Sequence, residues 1–307
     1  MSNKTYRIVE VSPRDGLQNE AVMVPVEAKL RLVNQLVKAG LREIEVTSFV
    51  SPKWVPQLAD AAELWPQLND APGVKFSVLV PNAKGLDRAI ELGVPNIAVF
   101  TASSDAFTQR NINMTVKESI ETFQEIAERY RAAVPEGTIR GYVSTIFECP
   151  YAGRMDPEAT LNVANQLVEM VGVDEISLGD TIGVGTPSET HALANLMAEE
   201  HSGLMENVFW HFHDTRGTAL ANVAAVLEYE MFGGFDSSAA GLGGCPYAKG
   251  AGGNLATDDL VYFLEREGIA TGVDPRALAQ ATEEVLQILG RPSDSKVRRA
   301  VMSDVSP

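Results

Sequence analysis

The sequence is poor in cysteine and in basic residues. Its only two cysteines, Cys149 and Cys245, lie far apart in a chain of 307 residues, so no disulfide framework is readable and a reducing compartment is favoured. Lys and Arg number 25 against 41 Asp and Glu, which gives a formal net charge of −16. Because binding to nucleic acid requires clustered basic residues, we expect no nucleic-acid partner. A phosphorylated ligand would need a local basic or helix-N-terminal site.

Long apolar runs and targeting signals are also missing. Hydrophobic residues make up 45% of the chain and charged residues 21%, which is typical of a globular protein rather than a disordered or membrane-spanning one. The N-terminus MSNKTYRIVEV enters a strand pattern without an apolar signal segment, and the C-terminus RRAVMSDVSP carries no peroxisomal tripeptide. We therefore expect a cytoplasmic protein with no membrane partner.

Short β-branched runs alternate with longer amphipathic stretches eight times along the chain. The strand candidates are residues 6–11, 42–47, 75–80, 96–101, 139–145, 175–180, 208–213 and 235–241. Helical periodicity is clearest over 26–40, 161–172 and 218–233, each ending at a glycine, and one more helix is predicted over 274–289. Such alternation predicts a parallel sheet with crossover helices.

Eight strand–helix units favour an α/β fold of the (β/α)8 TIM-barrel type. The alternative is an open doubly wound sheet, which usually has a glycine-rich turn after its first strand, whereas the turn here, SPRDGLQNE, has a single glycine. No low-complexity linker divides the chain. We predict one domain over 1–307, with the barrel at about 5–268 and a C-terminal helical extension at about 269–307.

The segment HFHD places two histidines at the end of the seventh predicted strand. Alternate strand residues share a face, so His211 and His213 both point into the barrel, where chemistry is concentrated at the strand exits. Two such imidazoles are either a hydrogen-bonded core pair or metal ligands. Asp15, projecting over the same mouth, favours the metal. The other two histidines, His191 and His201, are predicted to be surface residues.

Arg14 and Asp15 close the first predicted strand. A carboxylate beside a guanidinium stays ionised, and it can ligate a cation while the arginine faces an anionic oxygen. A plain surface ion pair is the alternative, but the position at a strand exit, followed by the polar Gln18 and Asn19, supports the functional interpretation.

Glu45 and Asp180 also lie at strand ends and should face the barrel interior. We expect these carboxylates to hydrogen-bond to the histidines or to the arginine.

The glycine-rich segment AGLGGCPYAKGAGG precedes Asn254. Glycines at this density fit neither a helix nor a strand interior, and a loop with the single thiol of Cys245 is typical of an active-site lid, with a flexible connector as the alternative. Asn254 is expected to open a helix with a buried stripe of Leu255, Leu260, Val261 and Leu264. The other thiol, Cys149, is predicted to pack in the interior.

Five blocks of the sequence resemble the 3-hydroxy-3-methylglutaryl-CoA lyase family. They are SPRDGLQNE, EVTSFVSPKWVPQLAD, SLGDTIGVGTP, HFHDTRGTALAN and AGLGGCPYAKGAGGNLATDDLVY, and they extend over most of the chain. The last block is the most specific. Related barrel-fold Claisen-type synthases, such as the isopropylmalate, homocitrate and citramalate synthases, share the Arg-Asp-Gly and the H-x-H but lack G-L-G-G-C-P-Y.

The resemblance implies a set of residue roles. The metal ligands for Mg²⁺ or Mn²⁺ would be Asp15, His211, His213 and Asn254. Arg14 would face the thioester carbonyl, and Cys245 would act in proton transfer. Glu45 and Asp180 would hold the arginine and the ligands. Gln18, Ser48 and Thr181 are expected to contact an acyl-CoA substrate, and the family resemblance implies a homodimer or larger homo-oligomer.

The sequence departs from the family pattern at a few positions. Asp258 stands where better-known members have glutamate in A-T-E-D-L, which removes one methylene. Ala21 replaces a frequent lysine, and Ala239 replaces a common valine. The C-terminal cysteine that animal members use for redox linkage is absent.

The expected reaction is retro-Claisen cleavage of 3-hydroxy-3-methylglutaryl-CoA to acetyl-CoA and acetoacetate, with His211, His213, Asp180 or water taking the hydroxyl proton. One alternative is a lyase for a longer branched analogue. Another is a Claisen-type synthase, which usually needs a C-terminal extension for which 307 residues leave no room. A metal-dependent hydrolase would carry H-x-H on the first strand and need more histidines. A non-catalytic barrel would leave Cys245 in its glycine loop unexplained.

Overall fold

The computed structural model describes residues 6–69, 71–200, 206–229, 232–244 and 253–303. Eight parallel strands close into a barrel in the order β1-β10-β9-β8-β5-β4-β3-β2. The barrel strands are β1 Arg7–Glu10, β2 Glu43–Ser48, β3 Lys75–Leu79, β4 Asn96–Ala102, β5 Thr138–Ser144, β8 Glu175–Asp180, β9 Val208–Phe212 and β10 Gly234–Ser237. A short antiparallel hairpin, β6 Glu148–Cys149 and β7 Gly153–Arg154, follows β5. The predicted TIM barrel is confirmed, since β1 pairs with both β2 and β10.

Helices cover the outside of the barrel between successive strands. They are α1 Val26–Lys38, α2 Ala61–Leu64, α3 Ala83–Glu91, α4 Asp105–Ile112, α5 Val116–Ala133, α6 Pro157–Gln166, α7 Pro187–Glu200, α8 Ala219–Leu227 and α9 Thr257–Arg266, followed by α10 Pro275–Ala281, α11 Glu283–Leu289 and α12 Lys296–Ser303. No helix within the described ranges is long and apolar enough to cross a bilayer.

The helix predicted over 26–40 ends at Lys38, and its glycine stop is confirmed. Gly40 has a φ of 109°, and a Cβ there would lie 2.3 Å from the carbonyl oxygen of Gly272. Only glycine combines that backbone angle with so close an approach.

Three further predicted elements end differently in the structure. The stretch 161–172 continues α6 as a π-helical turn, Leu167–Val171, before its stop at Gly172. The helix predicted over 218–233 ends at Leu227, and Phe232 lies beyond it, buried against Trp210. The strand predicted over 235–241 ends at Ser237 and gives way to a 3-10 turn, Ala239–Gly241.

The single helix predicted over 274–289 is two helices, α10 and α11, joined at Thr282. The hydroxyl of Thr282 bonds to the carbonyl of Ala279 at 3.4 Å, and Nε of the buried Arg298 donates to both at 2.9 Å. Arg298 belongs to α12, so the last helix fixes the break. The N-terminus of α12 is in turn held by Asp259, which accepts from Ser295 Oγ at 2.6 Å and from Val297 N at 2.8 Å.

The apolar core lies mainly between the barrel and its helices. The inside of the barrel is largely polar, with buried side chains that include Glu45, Arg140, Tyr142, Ser177, His211 and Asp236. Because buried polar groups need partners, this lining fixes side-chain positions from one end of the barrel to the other.

Candidate active site

Arg14 and Asp15 lie on a π-helical turn, Ser12–Gly16, at the carboxyl end of β1. The turn packs closely against the residues that follow β10, since a Cβ on Gly16 would lie 2.8 Å from Ser238 Oγ. A side chain at position 16 would crowd Ser238 and Leu242, so glycine allows the turn that carries both charged side chains to pack this closely. π-helical turns of this kind are frequent at functional sites.

Arg14 is buried, with 6% of its surface exposed, and is held by two carboxylates. Its Nε donates to Glu45, and its Nη1 donates to Asp15 Oδ1 at 2.6 Å. Burial alone would lower the pKa of Arg14, but Glu45 and Asp15 raise it above its usual value. The expectation that Glu45 lies beside the arginine agrees with this geometry. Among the described residues, Nη2 of Arg14 makes no hydrogen bond, so it can face a ligand.

Tyr142 completes this cluster and was missed in the sequence analysis. Its hydroxyl donates to Glu45 Oε2 at 3.0 Å, and the guanidinium carbon of Arg14 lies 5.6 Å from its ring centroid. Burial raises the pKa of Tyr142 well above its usual value, so the hydroxyl keeps its proton and remains a donor. The tyrosine sits inside the predicted strand over 139–145, and nothing local distinguishes it from a packing residue.

His211 and His213 point into the same space, as the strand periodicity predicts. Their Nε2 atoms are 3.4 Å apart, and both residues are buried. His211 is in β9, whereas His213 follows it in an antiparallel bridge with Asn254.

Asn254 does not open a helix, which corrects the prediction. It lies in the bridge to His213, and α9 begins only at Thr257. Its Nδ2 donates to Asp15 Oδ2 at 2.8 Å and to the carbonyl of Leu242 at 3.3 Å. With both amide hydrogens used, Oδ1 must face His211 Nε2, which is 2.8 Å away. The stripe of Leu255, Leu260, Val261 and Leu264 is buried as predicted.

Asp15, His211 and His213 form a group that could hold a metal ion. Their ligand atoms all lie within 4.8 Å of one another. His211 Nδ1 faces the carboxylate of Asp236 at 3.1 Å and must donate to it, which leaves a lone pair on Nε2 directed at the Asn254 oxygen. Two acceptors facing each other need a cation or a proton between them. The mixed nitrogen and oxygen donors suit a small divalent cation.

The charge states of Asp15 and His213 at neutral pH favour metal binding, whereas a cation at His211 competes with a proton. Burial alone would lower the pKa of His211, but Asp236 and Asp15 raise it above its usual value. Burial would raise the pKa of Asp15, but Arg14 and the two histidines lower it well below its usual value, so the carboxylate is ionised. Burial and the neighbouring His211 lower the pKa of His213 to about 4, so its imidazole is neutral with a free lone pair. Both residues are therefore in the forms that ligate cations.

Among the described residues, Asp180 makes no hydrogen bond or ion pair with Arg14 or any of the four proposed ligands, which corrects the expectation that it holds them. Its side chain turns instead to the loop after β8, where it accepts from Val184 N at 3.1 Å and Gly185 N at 2.9 Å. Burial raises the pKa of Asp180 to about 6. A carboxyl group with a pKa near neutrality at a strand exit is suited to proton transfer.

The other residues predicted to contact substrate are largely engaged with the backbone. Ser48 Oγ donates to the carbonyl of Leu79 at 3.0 Å, and Thr181 Oγ1 accepts from Thr145 N at 2.8 Å. Gln18 is partly exposed just beyond the turn of Arg14. Cys245 lies outside the described residues.

The remaining thiol and histidine predictions have mixed outcomes. Cys149 is buried, as predicted. His191 is only partly exposed, because its ring packs against Tyr229 with Nδ1 3.1 Å from the hydroxyl. His201 lies outside the described residues.

Asp258, which replaces the family's glutamate, holds the 3-10 turn Ala239–Gly241. Its Oδ2 accepts from Ala240 N at 2.7 Å, and Ala240 is in the left-handed region with a φ of 61°. Its Oδ1 is buried with no hydrogen-bond partner among the described residues. Burial raises the pKa of Asp258 to about 6.

Replacing Asp258 with asparagine should change the pH dependence of stability. The folded pKa of about 6 exceeds the ordinary value of about 3.9, so the stabilisation provided by the neutral carboxyl is complete below pH 4 and lost as the pH rises through 6. Asparagine cannot ionise. Relative to wild type, the variant should therefore gain up to about 3 kcal/mol of unfolding free energy between pH 4 and pH 8.

Chemical denaturation at both pH values measures this difference. Asp87→Asn, which removes an exposed carboxylate, is the control for the loss of one negative charge. A pH-independent difference for Asp258→Asn would contradict the assignment.

The fold and site together define a class of barrel enzymes. These enzymes have a candidate metal site and a buried arginine at the carboxyl ends of their strands. The HMGL-like family model matches residues 5–285. The chain belongs to this family, which confirms the family predicted from the sequence blocks.

Relatives and solved structures agree over nearly the whole chain. A Pseudomonas aeruginosa protein named 3-hydroxy-3-isohexenylglutaryl-CoA/hydroxy-methylglutaryl-CoA lyase is 49% identical over 98% of this chain and 98% of its own. The mitochondrial hydroxymethylglutaryl-CoA lyase of Bos taurus is 48% identical over 97% of this chain and 90% of its own length. The crystal structure of the Pseudomonas aeruginosa hydroxymethylglutaryl-CoA lyase has a TM-score of 0.93 at 48% identity, and the match covers 99% of this chain and 100% of that one. The structure of an HMG-CoA lyase from Acinetobacter baumannii, in complex with coenzyme A and 3-methylmalate, has a TM-score of 0.90 at 34% identity. The match covers 100% of this chain and 99% of that one.

Proposed function

We propose that the protein is a divalent-metal-dependent carbon–carbon lyase that cleaves 3-hydroxy-3-methylglutaryl-CoA to acetyl-CoA and acetoacetate. The observation that carries the proposal is the convergence of Arg14 and Asp15 with His211, His213 and Asn254 at the barrel mouth. The names of the relatives support the lyase activity and the acyl-CoA substrate predicted from the sequence.

The proposed ligands are Asp15, His211, His213 and Asn254, with Mg²⁺ or Mn²⁺ as the ion. When bound, the cation supplies Lewis-acid chemistry that lowers the pKa of the substrate's tertiary hydroxyl. Asn254 has a second part in this arrangement, since its amide donates to Asp15 and so fixes the direction of the carboxylate. The four side chains come from the turn after β1, from the carboxyl end of β9 and from the segment before α9, and Asn254 links Asp15 to His211.

Arg14 is positioned to stabilise negative charge on the thioester oxygen. Cleavage of the C2–C3 bond leaves the electron pair on the acetyl-CoA fragment as an enolate, whose oxygen needs a fixed cation or hydrogen-bond donor. Glu45 and Asp15 hold the guanidinium by Nε and Nη1, which leaves Nη2 to face that oxygen. A preorganised donor of this kind contributes about 3–4 kcal/mol to transition-state stabilisation.

The hydroxyl proton could pass to His211, to water or to Asp180. With a pKa of about 6, Asp180 is mostly ionised at neutral pH and can accept a proton at low cost. The lowered pKa of His213 makes that imidazole a poor base. Cys245, which is predicted to protonate the enolate carbon, would act on the acetyl-CoA fragment.

A second substrate is favoured by one observation. The name of the Pseudomonas aeruginosa relative includes 3-hydroxy-3-isohexenylglutaryl-CoA as well as the methyl compound. Both substrates share the hydroxyl, carboxylate and thioester that the proposed site would bind, and they differ only in the branch at C3. The homo-oligomer and the cytoplasmic location stay predictions beside this proposal.

A coupled assay of acetyl-CoA release tests the proposal on both substrates. We expect release from 3-hydroxy-3-methylglutaryl-CoA in the presence of Mg²⁺ or Mn²⁺, and the ratio of kcat/KM values identifies the preferred branch. Asp15→Asn, which keeps size but removes the ligand charge, is the matched inactive control. Absence of acetyl-CoA from both substrates with either cation would refute the proposed function.

A further inference from the structure

Asp236 is a buried carboxylate on β10 that is not among the predicted site residues. It is 1% exposed and has three partners. Ser177 Oγ donates to its Oδ2 at 2.6 Å, His211 Nδ1 lies 3.1 Å from the same oxygen, and Arg140 pairs with Oδ1. Asp236 and His211 are register partners on neighbouring strands, so their contact is fixed by the barrel itself.

We infer that Asp236 is a positioning residue for the proposed metal site, because it fixes the tautomer and the ring orientation of His211. An ionised carboxylate only accepts hydrogen bonds, so His211 must carry its proton on Nδ1. The lone pair is then on Nε2, the atom that faces His213 and Asn254. Metal-bound histidines are oriented in this way by carboxylates in many proteins. The inference rests on the proposed function, since it concerns the same metal site.

Arg140 keeps the charge of Asp236 compensated inside the barrel. Its Nη1 also donates to Glu175 at 3.1 Å, and Glu175 accepts from Arg7 at 2.6 Å and from Lys75 at 3.1 Å. Acidic and basic groups therefore alternate from His211 to the opposite end of the barrel. A buried carboxylate without such a partner would be strongly disfavoured.

The two histidines differ in their support. His213 Nδ1 is buried with no hydrogen-bond partner among the described residues, whereas His211 Nδ1 has Asp236. Only His211 is thus oriented by a carboxylate. Loss of Asp236 should let its ring exchange tautomers and should weaken metal binding by about 10- to 100-fold, the usual effect of removing such a partner.

The test is a titration of the full chain with Mn²⁺ in the absence of substrate. The EPR signal of the free ion measures how much Mn²⁺ is bound. Asp236→Asn should raise the Kd for Mn²⁺ by about 10- to 100-fold. In the cleavage assay the Mn²⁺ concentration for half activation should rise by the same factor, while kcat at saturating Mn²⁺ falls by less than about tenfold. A merely structural defect would lower kcat without shifting the metal dependence.

Glu175→Gln is the matched control, because it removes a charge from the same buried network without touching His211. Its Kd for Mn²⁺ should stay within about threefold of wild type. If Asp236→Asn does not fold because Arg140 loses its partner, the double variant Asp236→Asn/Arg140→Gln removes both charges and gives the same test. A folded variant with wild-type Mn²⁺ affinity overturns the inference. A wild-type protein that binds no Mn²⁺ overturns the proposed metal site instead.

Discussion

Replacing Arg14 with methionine is expected to lower kcat by about 10²- to 10³-fold while the substrate still binds. The guanidinium is fixed by Glu45 and Asp15 before substrate arrives, so its charge acts on the developing enolate without reorganisation. Methionine keeps much of the side-chain volume but supplies neither charge nor donors. Because the interaction strengthens as the enolate forms, the loss should appear in kcat rather than in KM.

Two further variants separate this role from general effects. Arg14→Lys keeps the charge but loses the planar fork that bonds to both carboxylates, so an intermediate rate is expected. Arg129→Met removes an arginine that is paired with Asp87 on the surface, and its rate should be that of wild type. Steady-state kinetics with saturating Mg²⁺ measures all three. An Arg14→Met enzyme that keeps more than about a tenth of the wild-type rate, a loss below about 1.4 kcal/mol, would show that the role is wrong.

The barrel could be predicted because its signal is local. Each of the eight predicted strands overlaps an observed one, since alternation of short β-branched runs with amphipathic helices is visible within any thirty or so residues. The strand exits then follow from the fold, and they contain Arg14, Asp15, His211 and His213. Element ends were less predictable. The strand predicted to reach residue 241 stops where Asp258 holds Ala240 in a left-handed turn, a contact between distant segments.

The supporting residues of the site could not be predicted for a similar reason. Asp236 supports the site because it lies in register with His211 on the neighbouring strand. Tyr142 supports it because its hydroxyl donates to Glu45 across the barrel. Neither pairing can be predicted from the residues next to Asp236 or Tyr142 in the sequence. The family resemblance supplied Asn254 without its context, so its bridge to His213 was mistaken for a helix start. Local periodicity predicts where a side chain faces, while pairing across the barrel decides what it touches.

Removal of divalent cations is expected to abolish cleavage. Without a cation, the lone pair of His211 Nε2 faces the Asn254 oxygen at 2.8 Å, while Arg14 pairs with one oxygen of Asp15 and Asn254 donates to the other. The substrate's tertiary hydroxyl, with a pKa near that of bulk water at about 16, would then have to ionise without a Lewis acid. We expect a loss of at least about 10³-fold after exhaustive chelation, with activity restored by Mg²⁺ or Mn²⁺.

A stability measurement separates metal binding from metal-dependent chemistry. A ligand that binds only the folded state at about 100 times its Kd stabilises it by about 2.7 kcal/mol, so Mn²⁺ should raise the melting temperature without substrate. Asp15→Asn and His213→Gln should lose both this stabilisation and the restored activity, because each removes a proposed ligand. His191→Gln, a histidine packed against Tyr229 away from these ligands, should keep both. Activity that survives exhaustive chelation would refute the metal assignment. Stabilisation by Mn²⁺ that persists in both ligand variants would place the cation elsewhere in the protein.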